Sequence, residues 1–150
     1  MPLLVDGHNL IGRMPDMSLA DADDEAELVR RLRRYCQRNR RRATVVFDRG
    51  LPGGVSPALS APPVEVVFAA AGESADRVLM RRIRRARDPR GLLVVSSDRM
   101  VQEAARAQGA RVIASEEFAA QLVGRLAGQG EPDKPTTVGN VDEWLRAFGG

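Results

Sequence analysis

Leu3-Leu4-Val5-Asp6 is a short apolar run that stops on an acid. Ala43–Asp48 (ATVVFD) repeats the pattern with β-branched and aromatic residues. Val64–Ala69 (VEVVFA), Leu92–Ser96 (LLVVS) and Ala110–Ala114 (ARVIA) are three further runs of similar length. Continuous apolar runs this short suit strands covered on both faces. Helical patterns fill the intervals. In Asp24–Arg42 the residues Leu28, Val29, Leu32, Tyr35 and Cys36 form one apolar stripe. Ser74–Arg87 places Ala75, Leu79, Ile83 and Ala86 on one face, and Ser97–Gln108 places Val101, Ala104 and Ala105 inward. Gly109 fits the residue after a helix end. Ser115 fits an N-cap, followed by an apolar face of Phe118, Leu122 and Leu126. Strand and helix alternating over short connections predict an α/β domain with a largely parallel sheet.

Two stretches break the alternation. Arg49–Pro63 (RGLPGGVSPALSAPP) reads as a loop in the place of a crossover helix. Gly128–Asn140 reads as a linker, and Val141–Phe148 (VDEWLRAF) as a short closing helix. The expected organisation is a domain over residues 1–127, a linker over 128–140 and a helix within 141–150 docking on the same domain.

A chain of 150 residues, 43% hydrophobic and 29% charged, has the composition of one globular domain. No apolar run approaches the ~20 residues of a membrane span, and Met1–Asp6 lacks the basic start of a signal peptide. A cytoplasmic protein is expected. One cysteine, Cys36, excludes an internal disulfide framework, and one histidine, His8, excludes a multi-histidine metal site. His8 is expected in a loop. The net charge is only +3, yet all but one of the 23 basic residues are arginine. Coding bias and selection for phosphate contacts both account for that.

The acids are placed more tellingly. In an open α/β sheet, ligands bind beyond the carboxyl ends of the strands. Asp6 and Asp48 end two strands, Asp98 follows a third, and Asp76 lies near the start of the helix after another. Singly, Asp48 reads as a turn residue, Asp98 as a helix cap, and Asp76 as favourable charge at a helix start. Together they converge on one edge. Clustered carboxylates raise one another's pKa, and Mg²⁺ or Mn²⁺ relieves that repulsion through oxygen ligands. Such a cation supports in-line displacement at phosphate. Asn9 is expected to hold a ligand carboxylate or water, and Ser96 and Ser97 to orient Asp98. An aspartyl-nucleophile phosphatase is disfavoured, because neither Asp6 nor Asp48 begins a D-x-D pair.

Leu3–Ile11 (LLVDGHNLI), VVFD at Val45–Asp48, VVFAAAGESAD at Val66–Asp76, VVSSDR at Val94–Arg99 and GARVIASEEF at Gly109–Phe118 occur in that order. In this the chain resembles the YacP-like NYN domains, a branch of the PIN-like nucleases. The resemblance implies a three-layer PIN-like fold with strand order 3-2-1-4-5. It implies a Mg²⁺- or Mn²⁺-dependent endoribonuclease, some relatives of which act on mRNA at the ribosome. By motif, Asp6, Asp76 and Asp98 match the acidic metal positions and Asp48 a further acid. Asn9 matches the polar partner, and Ser97 the small hydroxyl before the last acid. His8 stands where tyrosine is common, and Arg77 where a second acid often follows Asp76.

Eight arginines lie between Arg30 and Arg42, and seven between Arg77 and Arg90. Both helices carrying them run back from the acidic edge, on opposite faces of the sheet. Arg38, Arg40, Arg41 and Arg42 are therefore expected at the far edge, either as solvated charge at a helix end or as a dock for RNA backbone. Arg13, Arg49, Arg77 and Arg99 lie nearer the acids and are candidates for contact with the cleaved strand. The expected function is a metal-dependent endoribonuclease on RNA, extending to ribosome-associated mRNA. The alternative is a non-catalytic RNA- or ribosome-binding module of the same fold. Oligomeric state is not legible.

Overall fold

Leu3, Leu4 and Val5 are all buried, Leu3 and Val5 in one core and Leu4 in another. A strand buried on both faces belongs in the middle of a sheet. The computed structural model puts it there, and it describes residues 2–17, 23–48, 54–55, 60–70 and 72–130. The strands in chain order are β1 (Leu3–Asp6), β2 (Ala43–Phe47), β3 (Gly54–Val55), β4 (Val64–Phe68), β5 (Leu93–Val95) and β6 (Arg111–Ile113). They lie in the order β3-β4-β2-β1-β5-β6. The five strands read from the sequence are mutually parallel. Counted among themselves they have the expected order 3-2-1-4-5. β3 is an addition: it pairs antiparallel with β4 on the outer edge, inside the stretch read as loop. The Gly- and Pro-rich surroundings of Gly54 and Val55 hide so short a strand.

The helices are α1 (Gly7–Ile11), α2 (Asp23–Asn39), α3 (Ala75–Arg85), α4 (Arg99–Ala107) and α5 (Ser115–Gly130). α1, α2 and α5 cover the face that presents Leu3, Val5, Val45 and Phe47. α3 and α4 cover the face that presents Leu4, Val46, Val67 and Val94. The expected stripe of α2 is buried in full. Ala75, Leu79 and Ile83 of α3 are buried, but the helix ends before Ala86. Gly109 has φ +87°, a left-handed conformation that stops α4 as expected. Ser115 does not cap α5. It is the first helical residue, and the Ala114 carbonyl accepts the Phe118 N–H at 3.0 Å. α5 continues to Gly130, past residue 128. The rest of the linker, and the closing helix within 141–150, lie outside the described residues. No helix among the described residues is long and apolar enough to cross a membrane.

His8 is a correction. It sits on α1 rather than in a loop. Five residues are too few to show a helical period, and Asp6 makes no side-chain cap bond to α1. The helix is held by packing, with Leu10 and Ile11 buried. Gly7 makes its position possible: a Cβ there would lie 2.4 Å from Phe47 Cε1. Gly7→Ala is therefore expected to destabilise the domain by about 1–3 kcal/mol through overpacking. Urea unfolding reads this as a lower midpoint, and an unchanged midpoint would refute the steric role of Gly7.

Candidate functional site

Strand order reverses at β1, with β2 on one side and β5 on the other. The carboxyl ends of these three strands therefore meet at the switch point, where open α/β sheets bind ligands. Asp6 ends β1. Asp48 follows β2, and Ser96, Ser97 and Asp98 follow β5. α3 brings Asp76 to the same edge in its first turn.

Asp6 is buried at 6% exposure. Its pKa is pushed up to about 6, first by burial and then by the charges of Asp76, Asp98 and Asp48, against a lowering hydrogen bond from Ser96. The Asp76 carboxyl is also raised, by partial burial and by Asp98 and Asp48. Asp6 and Asp76 thus both feel the charges of Asp48 and Asp98. Among the described residues, however, no three His, Cys, Asp or Glu side chains are grouped closely enough to hold one ion between them. The arrangement fits a cation held by one or two carboxylates with waters completing its shell, as Mg²⁺ is commonly held. It does not fit a closed protein cage.

Two of the acids also do the structural work read for them singly. Asp48 Oδ1 accepts the Ala75 N–H at 2.8 Å, tying β2 to the start of α3. Asp98 caps α4, its Oδ1 accepting the N–H groups of Met100 (2.8 Å) and Val101 (3.2 Å). Each has a second carboxylate oxygen besides.

Ser96 is the hinge of the site. Its hydroxyl donates to Asp6 Oδ2 at 3.0 Å and accepts the Asp98 N–H at 3.0 Å. Gln102 holds the Ser96 carbonyl at 2.7 Å. Ser97 is a correction in role. Its hydroxyl turns away from Asp98, accepting the Ser115 N–H at 2.9 Å and donating to Glu116. That bond holds the Glu116 carboxyl below its ordinary range. Asn9 does structural work as well. Its Oδ1 accepts the Ser97 N–H (2.9 Å) and the Ser115 hydroxyl (2.7 Å), so it pins the loop after β5 to the start of α5.

Glu25 was missed by the sequence reading. It is buried on α2, and its carboxylate lies 2.6 Å from His8 Nε2. The Asp48 N–H donates to His8 Nδ1 at 3.4 Å. With Nδ1 accepting, Nε2 carries the proton and donates to Glu25. His8 therefore joins α1, α2 and the end of β2. A pair seventeen residues apart leaves no local signal; a charged residue among the apolar positions of α2 was the only trace.

Arg13, Arg77 and Arg99 are exposed at or beside the acidic edge, and Arg13 lies 3.9 Å from Glu116. Arg49 lies outside the described residues. Arg38, Arg40 and Arg42 are exposed on or after the last turn of α2. The Arg42 carbonyl accepts the Leu3 N–H at 2.8 Å, which sets this group at the opposite, amino edge. Arg41 is half-buried beside Tyr35: it donates to the Tyr35 hydroxyl at 3.3 Å, and its guanidinium carbon lies 5.9 Å from the ring centre.

Five parallel strands in this order, helices on both faces and acids gathered at the switch point define a PIN-like domain of nuclease type. The chain belongs to the YacP-like NYN domain family, whose model matches residues 3–130. It is similar to crystal structures of Rae1 (YacP) from Bacillus subtilis. One, of a tryptophan-to-leucine mutant, has a TM-score of 0.63 and 26% identity over 84% of this chain and 79% of that chain. Another has a TM-score of 0.63 and 25% identity over 99% of this chain and 92% of that chain. No curated protein matches the chain in sequence.

Burial of Asp6 has a pH consequence. With its carboxyl raised from 3.8 to about 6, the folded state binds more protons than the unfolded state between those values. Asp6 therefore favours folding below about pH 4, and that contribution is lost as pH rises through 6. Two units correspond to about 3 kcal/mol. In EDTA, Asp6→Asn is expected to gain stability relative to wild type between pH 4 and pH 7.5, read by urea unfolding. An equal difference at both pH values would contradict the raised carboxyl.

Proposed function

We propose that this chain is a Mg²⁺- or Mn²⁺-dependent endoribonuclease, cytoplasmic, that hydrolyses phosphodiester bonds in RNA, including mRNA at the ribosome. The observation that carries the reading is the gathering of Asp6, Asp48, Asp76 and Asp98 at the switch point, where Asp6 and Asp76 both feel the charges of Asp48 and Asp98. Membership of the YacP-like NYN family and similarity to Rae1 (YacP) support it.

One or two carboxylates drawn from Asp6, Asp76 and Asp98 would hold the cation, with waters completing its shell and Asp48 beside them. When bound, the cation supplies Lewis acidity toward a phosphate oxygen and a water. Ser96 fixes the Asp6 carboxylate and the Asp98 backbone through one hydroxyl. Ser97 and Asn9 act as positioning residues, keeping the loop that bears Asp98 against α5. Arg13, Arg77 and Arg99 offer guanidinium donors to the phosphates flanking the cut. Arg38, Arg40 and Arg42, at the amino edge, serve as a dock for distant RNA backbone.

Arg77 directly after Asp76 favours a second reading, a non-catalytic RNA- or ribosome-binding module. Cleavage of a labelled RNA panel, with and without ribosomes, separates the two. The nuclease reading expects Mg²⁺- or Mn²⁺-dependent cutting, abolished by EDTA and reduced at least 100-fold in Asp6→Asn and in Asp98→Asn, both still folded. RNA binding without cutting, or full activity in both variants, would overturn it.

A further inference from the structure

α3 carries a second feature, on the flank turned toward β4. Arg81, Arg82 and Arg85 share one side of the helix with Val78. With Val67 and Glu73 they line a cavity of about 610 Å³, within the range of sites that hold small ligands. Three guanidinium groups face one carboxylate, so the lining is net positive. Glu73 engages Arg81 through both oxygens, at 2.6 and 3.4 Å, and so fixes its fork. Arg82 stands 3.7 Å from Glu65. Arg85 is exposed, and among the described residues no carboxylate pairs with it.

A helix C-terminus favours basic residues for its dipole alone. That accounts for arginine anywhere around the last turn. It does not account for three of them lining one recess over apolar residues of β4 and α3. A recess of about 610 Å³ has room for the phosphate groups of a single strand. It lies along the helix whose first turn bears Asp76. Asp76 and Arg85 are nine residues apart, roughly 14 Å along the axis.

We infer that this cavity binds the phosphate backbone of single-stranded RNA along the flank of α3 that leads away from the cutting edge, with Arg82 and Arg85, in the last turn of the helix, as the anion contacts and Arg81 as the fixed wall. The choice of RNA as the polyanion rests on the nuclease reading above. The site is separate from the rim arginines Arg13, Arg77 and Arg99 and from the amino-edge group.

The test is fluorescence anisotropy of the full chain with a fluorescein-labelled oligouridylate in EDTA, so that binding is read without cleavage. Arg82→Glu/Arg85→Glu is expected to weaken binding at least tenfold. It should also lower the slope of log K against log salt by about 1.4, two contacts at ~0.7 each. Arg106→Glu/Arg111→Glu, which changes the net charge equally at exposed positions elsewhere, is expected to stay within threefold of wild type. Arg82→Gln/Arg85→Gln repeats the test without charge reversal and is expected to weaken binding at least threefold. No binding by wild type, or unchanged binding in the Glu and Gln variants, or an equal loss in the control pair, would overturn the site. Unchanged binding in a protein that cleaves RNA with Mg²⁺ fails the cavity alone. Cavity-dependent binding in a protein that never cleaves fails the nuclease reading alone.

Discussion

A carboxylate is held almost without solvent at the end of the central strand. Asp6 can occupy that place because Ser96 donates to it, yet burial and three neighbouring acids still oppose its charge. Desolvating an anion costs several kcal/mol unless something compensates. The proposed cation would offset that cost at this edge. The sheet order creates the arrangement: with β1 between β2 and β5, the carboxyl ends of three strands and the start of α3 open onto the same space.

The polar network around the acids fixes position rather than supplying charge. One hydroxyl, that of Ser96, sets both Asp6 and the Asp98 backbone. Asn9 links α1 to the loop after β5 and to α5, and His8 links α1 to α2 and β2. α1 is thereby tied to nearly every element that bears an acid. Its own register depends on Gly7, which alone permits the approach of Phe47. Packing, backbone conformation and site geometry are coupled within Asp6–Asn9.

The strands and long helices were legible because apolar runs and stripes are local signals. The placement of four acids at one edge followed from them, since each acid sits at an element boundary. α1 was not legible: five residues do not complete a pattern, and its stability is tertiary. β3 was hidden by its Gly- and Pro-rich setting. The partners of Ser97, Asn9 and His8 were also out of reach. Glu116, Ser115 and Glu25 come from elements whose start points, to within one residue, decide which hydroxyl or carboxylate meets which. A reading of Ser97 as a support for Asp98 was a reading from adjacency, and Glu116 and Ser115 at the start of α5 claim that hydroxyl instead.

Within the small net charge, four acids gather at the carboxyl edge while Arg38, Arg40 and Arg42 stand at the amino edge. The central claim is that the carboxyl edge is a cation site. Paramagnetic line broadening by substoichiometric Mn²⁺, read on assigned backbone amides, tests it most directly. The account predicts selective broadening at Gly7, Asp48, Asp76 and Asp98, reversed by excess Mg²⁺ and absent in Asp6→Asn. Broadening confined to other acids, such as Asp23 and Asp24 on α2, or uniform along the chain, would contradict it.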